Sequence, residues 1–154
     1  MELSKAQSLA LKYLSYRPRT IKELETYLMK KKADMDIIQE VINYLLNLSY
    51  LNDEKFCELW IKDRINLKPM GKTRIYYDLL QKGVKKEVIE ICLEEHLPNE
   101  LEYELALELA KNKSLKLESD DEFKKNKKLS DFMYRRGFSY SIINSVINEI
   151  NPSY

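Results

Sequence analysis

Apolar residues recur at helical spacing in this sequence, and the same arrangement occurs three times along the chain. Its first copy consists of Leu24, Leu28, Ala33, Ile37, Ile38, Val41 and Ile42. The second copy begins at Ile75 and the third at Leu129, and every corresponding position in them is apolar. Spacings of three and four residues place apolar side chains on one face of an α-helix. The pattern therefore predicts three related helical modules in tandem.

Capping signals divide the first module into three helices. Pro18 ends one helix, because proline disfavours helical backbone in the residue before it. Thr20 and Glu23 have the spacing of a capping box at the start of a second helix, and Asp34 is predicted to cap a third. The sequence thus predicts an all-α fold of three tandem three-helix repeats, similar to helix-turn-helix units, that form an elongated or curved body. The expected ranges are 1–50, 51–98 and 99–154, with a polar insertion near 114–127 that is either a longer loop or an exposed helix extension.

Glycine occupies one equivalent position in two of the modules. Gly83 and Gly137 both lie between the second and third helices, where a left-handed residue commonly ends a helix. Lys32 has this position in the first module. Because left-handed backbone costs a lysine on the order of 1 kcal/mol, we expect the first turn to close differently.

The overall charge gives the protein only a weak long-range field. Its 26 Lys and Arg residues are balanced by 25 Asp and Glu, for a formal net charge of +1, so any contact with nucleic acid must depend on local clusters. No apolar run approaches the roughly 20 residues of a bilayer span, and the N-terminus lacks a secretory signal pattern. Cys57 and Cys92 form no CxxC motif. We expect a cytoplasmic monomer with reduced thiols and no membrane association.

Residue types that support catalysis or bind cofactors are sparse. His96 is the only histidine, and it lies beside glutamates near the end of a predicted helix. The three glycines, at 71, 83 and 137, cannot form a phosphate-binding loop. Two isolated cysteines do not have the ligand spacing of a zinc site. We therefore expect no enzyme activity, no catalytic residues, no cofactor and no metal site.

Charged residues are segregated along the chain. Eight glutamates and no Lys or Arg occur from Glu87 to Glu108, whereas basic residues dominate from Lys124 to Arg136. Guanidinium groups bind carboxylates and phosphates equally well, so the sequence leaves both an acidic protein surface and nucleic acid open as partners. The basic residues predicted to bind a partner or DNA are Arg17, Arg19, Arg64, Lys72, Arg74, Lys82, Lys124, Lys125, Lys128, Arg135 and Arg136.

Tyrosine is the commonest aromatic residue, with eleven copies. Tyr76, Tyr77, Tyr134 and Tyr140 lie near basic residues and could stack on nucleic-acid bases. Their helical spacing favours packing of the rings in or at the rim of a core, with the hydroxyl groups in water.

Five short motifs occur in an order and spacing that resemble those of the RecX family. They are Arg17-Pro18-Arg19-Thr20 followed by Glu23-Leu24; Tyr50-Leu51-Asn52-Asp53 with Phe56; Trp60 with Arg64; Gly71, Arg74, Leu79, Lys82 and Gly83; and Arg135-Arg136-Gly137-Phe138-Ser139-Tyr140 with Ile143. Ser49 stands where the family usually has glycine. The resemblance covers nearly the full length of the chain.

The resemblance implies a regulator of the RecA recombinase in homologous recombination, DNA repair and the SOS response. Such a protein binds the RecA filament on DNA and inhibits filament growth, ATP hydrolysis and strand exchange. Binding to single- or double-stranded DNA alone is expected to be weak, because the net charge is near zero. One alternative is a stand-alone helix-turn-helix-like DNA-binding or transcription factor. Another is a helical scaffold for a protein partner.

Overall fold

The computed structural model describes residues 1–117 and 121–152, and within these ranges the chain forms nine helices and no strands. The helices are α1 (Leu3–Tyr16), α2 (Ile21–Lys30), α3 (Met35–Asn47), α4 (Asp53–Asn66), α5 (Lys72–Gln81), α6 (Lys86–His96), α7 (Asn99–Lys116), α8 (Glu122–Arg135) and α9 (Tyr140–Ile150). The prediction of an all-α fold with tandem three-helix repeats is confirmed. The predicted module boundaries near residues 50 and 98 remain a prediction.

The chain divides into two compact units. The first contains Met1–Leu59 and Leu79–Ile89, and the second contains Trp60–Asp78 and Glu90–Tyr154. In the first unit α1, α2 and α3 pack against one another. Their core consists of Ala6, Ala10, Leu24, Leu28, Ile38, Val41, Ile42, Leu45 and Leu51. Shortening a fully buried leucine such as Leu24 to alanine typically costs about 2–5 kcal/mol.

In the second unit α7, α8 and α9 pack pairwise. Their core consists of Ala106, Ala110, Leu129, Met133, Phe138, Ile143 and Val146. The alanines one turn apart on α7 match Ala6 and Ala10 on α1. All twenty-one positions of the apolar repeat are buried or half-buried. The periodicity therefore identified the core-facing side of the second and third helices correctly in all three copies.

The turns after the second helices close in the same way in all three copies. Lys32, Gly83 and Gly137 all have left-handed backbone, with φ of 70°, 91° and 88°. In each turn the next residue donates its backbone N–H to a carbonyl five residues earlier, at 3.1, 3.1 and 3.2 Å, as in a Schellman motif. The expectation that the first turn would close differently is wrong.

Local space explains why a lysine is tolerated in the first turn. A Cβ atom added to Gly83 would lie 2.3 Å from the Lys22 Cβ, and one added to Gly137 would lie 2.2 Å from the Arg74 Cβ. Lys32 is exposed, so its side chain extends into solvent. Glycine is thus needed at 83 and 137 for close packing as well as for φ, whereas Lys32 bears only the cost of the left-handed conformation.

The capping signals were partly correct. Thr20 and Glu23 form the predicted capping box of α2. Asp34 precedes α3 in extended conformation, but its side chain makes no capping hydrogen bond, which contradicts that prediction. In the polar segment near 114–127, α7 continues to Lys116 and α8 begins at Glu122, so the helix extension describes most of it. Residues 118–120 of this segment lie outside the described residues.

Carboxylates from later helices cap the second helices of the first two repeats. The Ile21 N–H, at the start of α2, donates to Asp53 Oδ1 at 3.0 Å. The Lys72 N–H, at the start of α5, donates to Glu102 Oε2 at 2.7 Å. A carboxylate at a helix N-terminus satisfies an orphan N–H and favours the helix dipole. Each cap therefore ties one three-helix repeat to the next within its unit.

Candidate functional site

The predicted basic residues differ in whether the protein already satisfies their charge. Three of them, Arg17, Arg19 and Lys82, belong to the first unit, and the others belong to the second. An exposed cation without a close internal carboxylate is the better candidate for an external partner, because it forms the new contact without giving up an existing one.

Arg17 and Lys82 share the carboxylate of Glu23. Arg17 Nη2 lies 2.6 Å from Glu23 Oε2, and Lys82 Nζ lies 3.8 Å from the same oxygen. Burial alone would raise the pKa of Glu23, but hydrogen bonds from Arg17 and the Thr20 N–H, with the charge of Lys82, hold it below its ordinary value. The hydrogen bond to Glu23 also raises the pKa of Arg17. These two cations are largely neutralised inside the first unit.

Arg19 covers an aromatic pair. Its guanidinium lies 3.9 Å from the centre of the Tyr13 ring, and Tyr13 stacks on Tyr27 with 4.0 Å between ring centres. Lys31 Nζ lies 5.6 Å from the Tyr27 ring centre. The four side chains form one cation–π stack across α1 and α2. Sequence reasoning missed it, because both tyrosines fit the apolar helical pattern.

Lys72 and Arg64 are also engaged inside the protein. Lys72 Nζ donates to Asn99 Oδ1 and lies 4.0 Å from Glu102 Oε1. The Arg64 guanidinium lies over the Trp60 ring at 4.2 Å. Lys72 is held at the start of α7 rather than beside Arg74, whereas Arg64 is held by the aromatic ring alone, and its Nε is buried without a hydrogen-bond partner among the described residues.

Arg74, Arg135 and Arg136 converge at the turn between α8 and α9, and we call these three residues the basic turn. Arg74 Nη1 donates to the Arg135 carbonyl at 3.0 Å, and Arg136 Nη1 donates to the Pro69 carbonyl at 3.0 Å. The Gly71 N–H donates to the Arg136 carbonyl at 2.8 Å. Backbone carbonyls orient two of the guanidinium groups without neutralising their charge.

The electrostatics of the basic turn favour an external anion. Burial, followed by the charge of Arg74, lowers the pKa of Arg136 from its ordinary value. Asp78, at 4.0 Å from Arg74 Nε, is a distant and half-exposed counter-charge. The Arg135 guanidinium is exposed and has no ion pair or hydrogen bond among the described residues. Like charges held together in this way gain energy from a bound carboxylate or phosphate.

Helix α8 extends this positive surface away from the turn. Lys124, Lys128 and Arg135 are separated by four and seven residues, so they lie on one exposed face of the helix. Asp131 is the one acidic residue on that face. We call Lys124, Lys128 and Arg135 the basic row. It spans about 16 Å at 1.5 Å per residue.

One predicted lysine does not join the positive surface, and one lysine that was not predicted shares a ring contact with Arg136. Lys125 is half-buried and lies off the exposed face of the basic row. Lys113, which the sequence did not single out, places its Nζ 4.8 Å from the Phe132 ring centre, and the Arg136 guanidinium lies 5.0 Å from the same ring. No local pattern connects Lys113 with Arg136, because they meet only through the packing of α7 on α8.

The acidic stretch is exposed except at one position. Of the eight glutamates from Glu87 to Glu108, only Glu102 is buried, and it is the one that caps α5. Over residues 1–117 and 121–152, no group of three or more His, Cys, Asp or Glu side chains is arranged to hold a metal ion. In the same ranges no helix combines the length and apolarity needed to cross a bilayer.

Sequence models of the first, second and third three-helix domains of RecX match residues 6–45, 52–93 and 100–147. Regulatory protein RecX of Bacillus cytotoxicus is 35% identical over 149 residues, which is 97% of this chain and 55% of that protein. Regulatory protein RecX of Finegoldia magna is 34% identical over 146 residues, 94% of this chain and 71% of that protein. The chain thus spans about half the length of the first relative and 71% of the second.

The fold is also that of a solved structure. A crystal structure of RecX from Lactobacillus salivarius superposes with a TM-score of 0.87 at 31% sequence identity, and the match covers 97% of both chains. The three matched RecX domains occur in the order first, second and third along this chain.

Proposed function

This chain belongs to the RecX family, and from that membership and the basic turn we propose that it is a negative modulator of the RecA recombinase. It binds the RecA filament on DNA in the cytoplasm and inhibits filament growth, ATP hydrolysis and strand exchange. It acts as a monomer, without catalytic residues or a cofactor. Homologous recombination and the associated repair of DNA are the processes it regulates.

The observation that carries this proposal is the difference between committed and uncommitted cations. Arg17, Lys82 and Lys72 face internal acceptors, whereas Arg135 at the basic turn has none among the described residues. A filament on DNA presents both acidic side chains and phosphates, which guanidinium groups bind in the same geometry. A local positive surface on a nearly neutral protein suits recognition of such a composite surface better than tight binding to DNA alone.

The composition of the third helices disfavours the alternative of a stand-alone helix-turn-helix factor. In such proteins the recognition helix enters the major groove, and it needs basic side chains near the phosphates. Neither α3 nor α9 contains a Lys or Arg residue, and α6 contains only Lys86 against four glutamates. Sequence-specific binding to duplex DNA by the purified protein would favour the alternative.

RecA-dependent ATP hydrolysis on single-stranded DNA tests the proposal. Substoichiometric amounts of this protein should inhibit hydrolysis and strand exchange, since one bound molecule blocks further growth of a filament. Arg135→Glu should raise the concentration needed for half-inhibition by about tenfold or more, as expected when a charged contact of about 1.4 kcal/mol or more is lost. Arg136 is left intact because it also holds the Pro69 carbonyl.

Lys5→Glu is the matched control, because it makes the same change of charge at an exposed position on α1. It should inhibit like the unmodified protein. If the unmodified protein leaves both ATP hydrolysis and filament length unchanged, the proposed function is wrong. If both charge reversals weaken inhibition equally, the basic turn is not the contact site.

A further inference from the structure

Two exposed tyrosines lie on either side of the basic turn. Tyr134 is in the last turn of α8 and is 57% exposed, and Tyr140 is the first residue of α9 and is 63% exposed. Their ring centres are 5.2 Å apart and their planes differ by 19°. The rings thus stack on each other, and more than half of each side chain still contacts solvent. We call them the tyrosine pair.

The tyrosine pair is not required for the fold of the turn. The corresponding positions are Leu80 and Lys86 in the second repeat and Met29 and Met35 in the first. Those turns close with the same hydrogen bonds, at nearly the same distances, as the turn at Gly137. Exposure of a single aromatic ring is ordinary, as at Tyr16 and Tyr77, but the first two repeats have no aromatic residue at either of these positions, so the stacked pair belongs to the third repeat alone.

The surroundings of the tyrosine pair indicate what could bind it. Arg135, between the two rings in sequence, is exposed and uncommitted among the described residues. The basic row continues from it along α8. Exposed aromatic faces beside a track of cations are the arrangement that proteins use for single-stranded nucleic acids, whose bases are free to stack while the phosphates contact Lys and Arg.

We propose that the tyrosine pair is a stacking platform for an unpaired base of single-stranded nucleic acid, with the neighbouring phosphates on Arg135 and the rest of the basic row. The inference deepens the proposed function and rests on it, because it assigns these residues to the DNA strand of the filament. The base would stack on the face of Tyr134 or Tyr140 that the other tyrosine ring does not cover. Duplex DNA offers no such contact along its length, since both faces of each base are already covered by neighbouring pairs.

Binding to an intact and to an abasic oligonucleotide isolates the stacking contact. A fluorescent oligothymidylate of about 15 nucleotides and an abasic strand of equal length and charge are compared by anisotropy at one salt concentration. A single stacked base should make the thymidylate bind about fivefold to a hundredfold more tightly. The double variant Tyr134→Ala/Tyr140→Ala should lose this preference and keep the affinity for the abasic strand.

Two matched variants accompany the alanine variant. Tyr134→Phe/Tyr140→Phe retains both rings and should keep the preference, which also covers the case in which the alanine variant fails to fold. Tyr16→Ala/Tyr44→Ala removes two other exposed tyrosines and should leave the preference unchanged. On the unmodified protein, photocrosslinking to a strand that contains 5-iodouracil should attach the base to Tyr134 or Tyr140.

Several results would overturn the stacking proposal: equal affinity for the two strands, a preference that survives both alanine substitutions, or crosslinks confined to other residues. Weaker inhibition of RecA by the alanine variant with an unchanged base preference would instead assign the tyrosines to a protein contact. The two proposals fail separately. A tyrosine-dependent base preference without inhibition of RecA contradicts only the proposed function, and inhibition without a base preference contradicts only the stacking platform.

Discussion

At the scale of single residues, two non-glycine residues among residues 1–117 and 121–152 have left-handed backbone. Lys32 and Ser49 have φ of 70° and 62°, and each follows a helix whose final carbonyls accept from the turn. Ser49 stands at a position where the RecX resemblance leads one to expect glycine. The surrounding hydrogen bonds are strong enough to hold these residues in a conformation that costs each about 1–2 kcal/mol.

Replacing either residue with glycine should therefore stabilise the protein. We expect Lys32→Gly and Ser49→Gly each to raise the free energy of unfolding by about 1 kcal/mol, after allowance for the greater freedom of glycine in the unfolded chain. Urea denaturation measures the free energy of unfolding of each variant. Lys31→Gly, at a neighbouring position with φ of −81°, is the control and should give no gain. A loss of stability at Lys32→Gly would contradict the assigned backbone.

Glu23 should make stability depend on pH in the acid range. Its pKa in the folded protein is below the ordinary value of 4.5 despite the opposing effect of burial. A carboxylate whose pKa is lower in the folded than in the unfolded protein stabilises the fold at pH values above the unfolded pKa. This stabilisation is lost as the pH falls through the folded pKa. Glu23→Gln should thus lower the unfolding temperature near pH 7 and have little effect near pH 3, with thermal denaturation as the measurement.

Exposed Glu40, replaced by Gln, is the control for this comparison. The Glu40→Gln variant should have the same unfolding temperature as the unmodified protein at both pH values. If Glu23→Gln lowers the unfolding temperature equally at both, the ion pair with Arg17 is not the cause.

At the scale of helices, the sequence predicted the helices themselves well, but it predicted poorly the contacts between residues that are distant in the chain. The spacing of apolar residues located the second and third helices of every repeat, and glycine marked two of the turns, because both signals act within a few residues. In sequence, Glu102 lies in the first turn of its own helix, α7, where an acidic residue commonly serves that helix's N-terminus. Instead Glu102 caps α5, thirty residues earlier in the chain, and only tertiary packing brings the two together.

Loss of the Glu102 carboxylate should weaken the second unit. Glu102→Ala removes the partner of the Lys72 N–H and leaves the Lys72 ammonium beside Asn99 alone, at an expected cost of about 1–3 kcal/mol. Glu104→Ala, at an exposed position on the same helix, should cost less than about 0.5 kcal/mol. Urea denaturation followed by far-ultraviolet circular dichroism compares them. Equal effects would mean that the cap contributes nothing to stability.

At the scale of the whole molecule, a net charge of +1 conceals opposite local surfaces. The sequence identified the basic stretch from Lys124 to Arg136, but it could not separate committed from uncommitted cations. Lys72 and Arg74 are close in sequence, yet Lys72 faces the buried carboxylate of Glu102, and Arg74 contacts Arg135, 61 residues later in the chain. The sequence could therefore predict that the candidate site is basic, but not which of the basic residues belong to it.

The basic row should set the salt dependence of binding to single-stranded DNA. Three phosphate contacts predict a slope of about −2 for the logarithm of affinity against the logarithm of salt concentration. Lys124→Gln/Lys128→Gln should reduce the slope to about −0.7, the value for one contact. Lys5→Gln/Lys12→Gln, on α1, should not change it. Anisotropy titrations at several salt concentrations give the slopes, and equal slopes for both double variants would exclude the basic row as the binding track.

The joint between successive repeats determines how this architecture could be lengthened. Thr20 Oγ1 donates to the Lys82 carbonyl and the Gly71 N–H donates to the Arg136 carbonyl, so one repeat receives the glycine turn of the next. If a further repeat were fused ahead of α1, Lys32 would take the position that Gly83 and Gly137 have in the existing contacts between repeats. Its side chain would then lie where the added repeat must pack, so Lys32 would first have to be replaced with glycine.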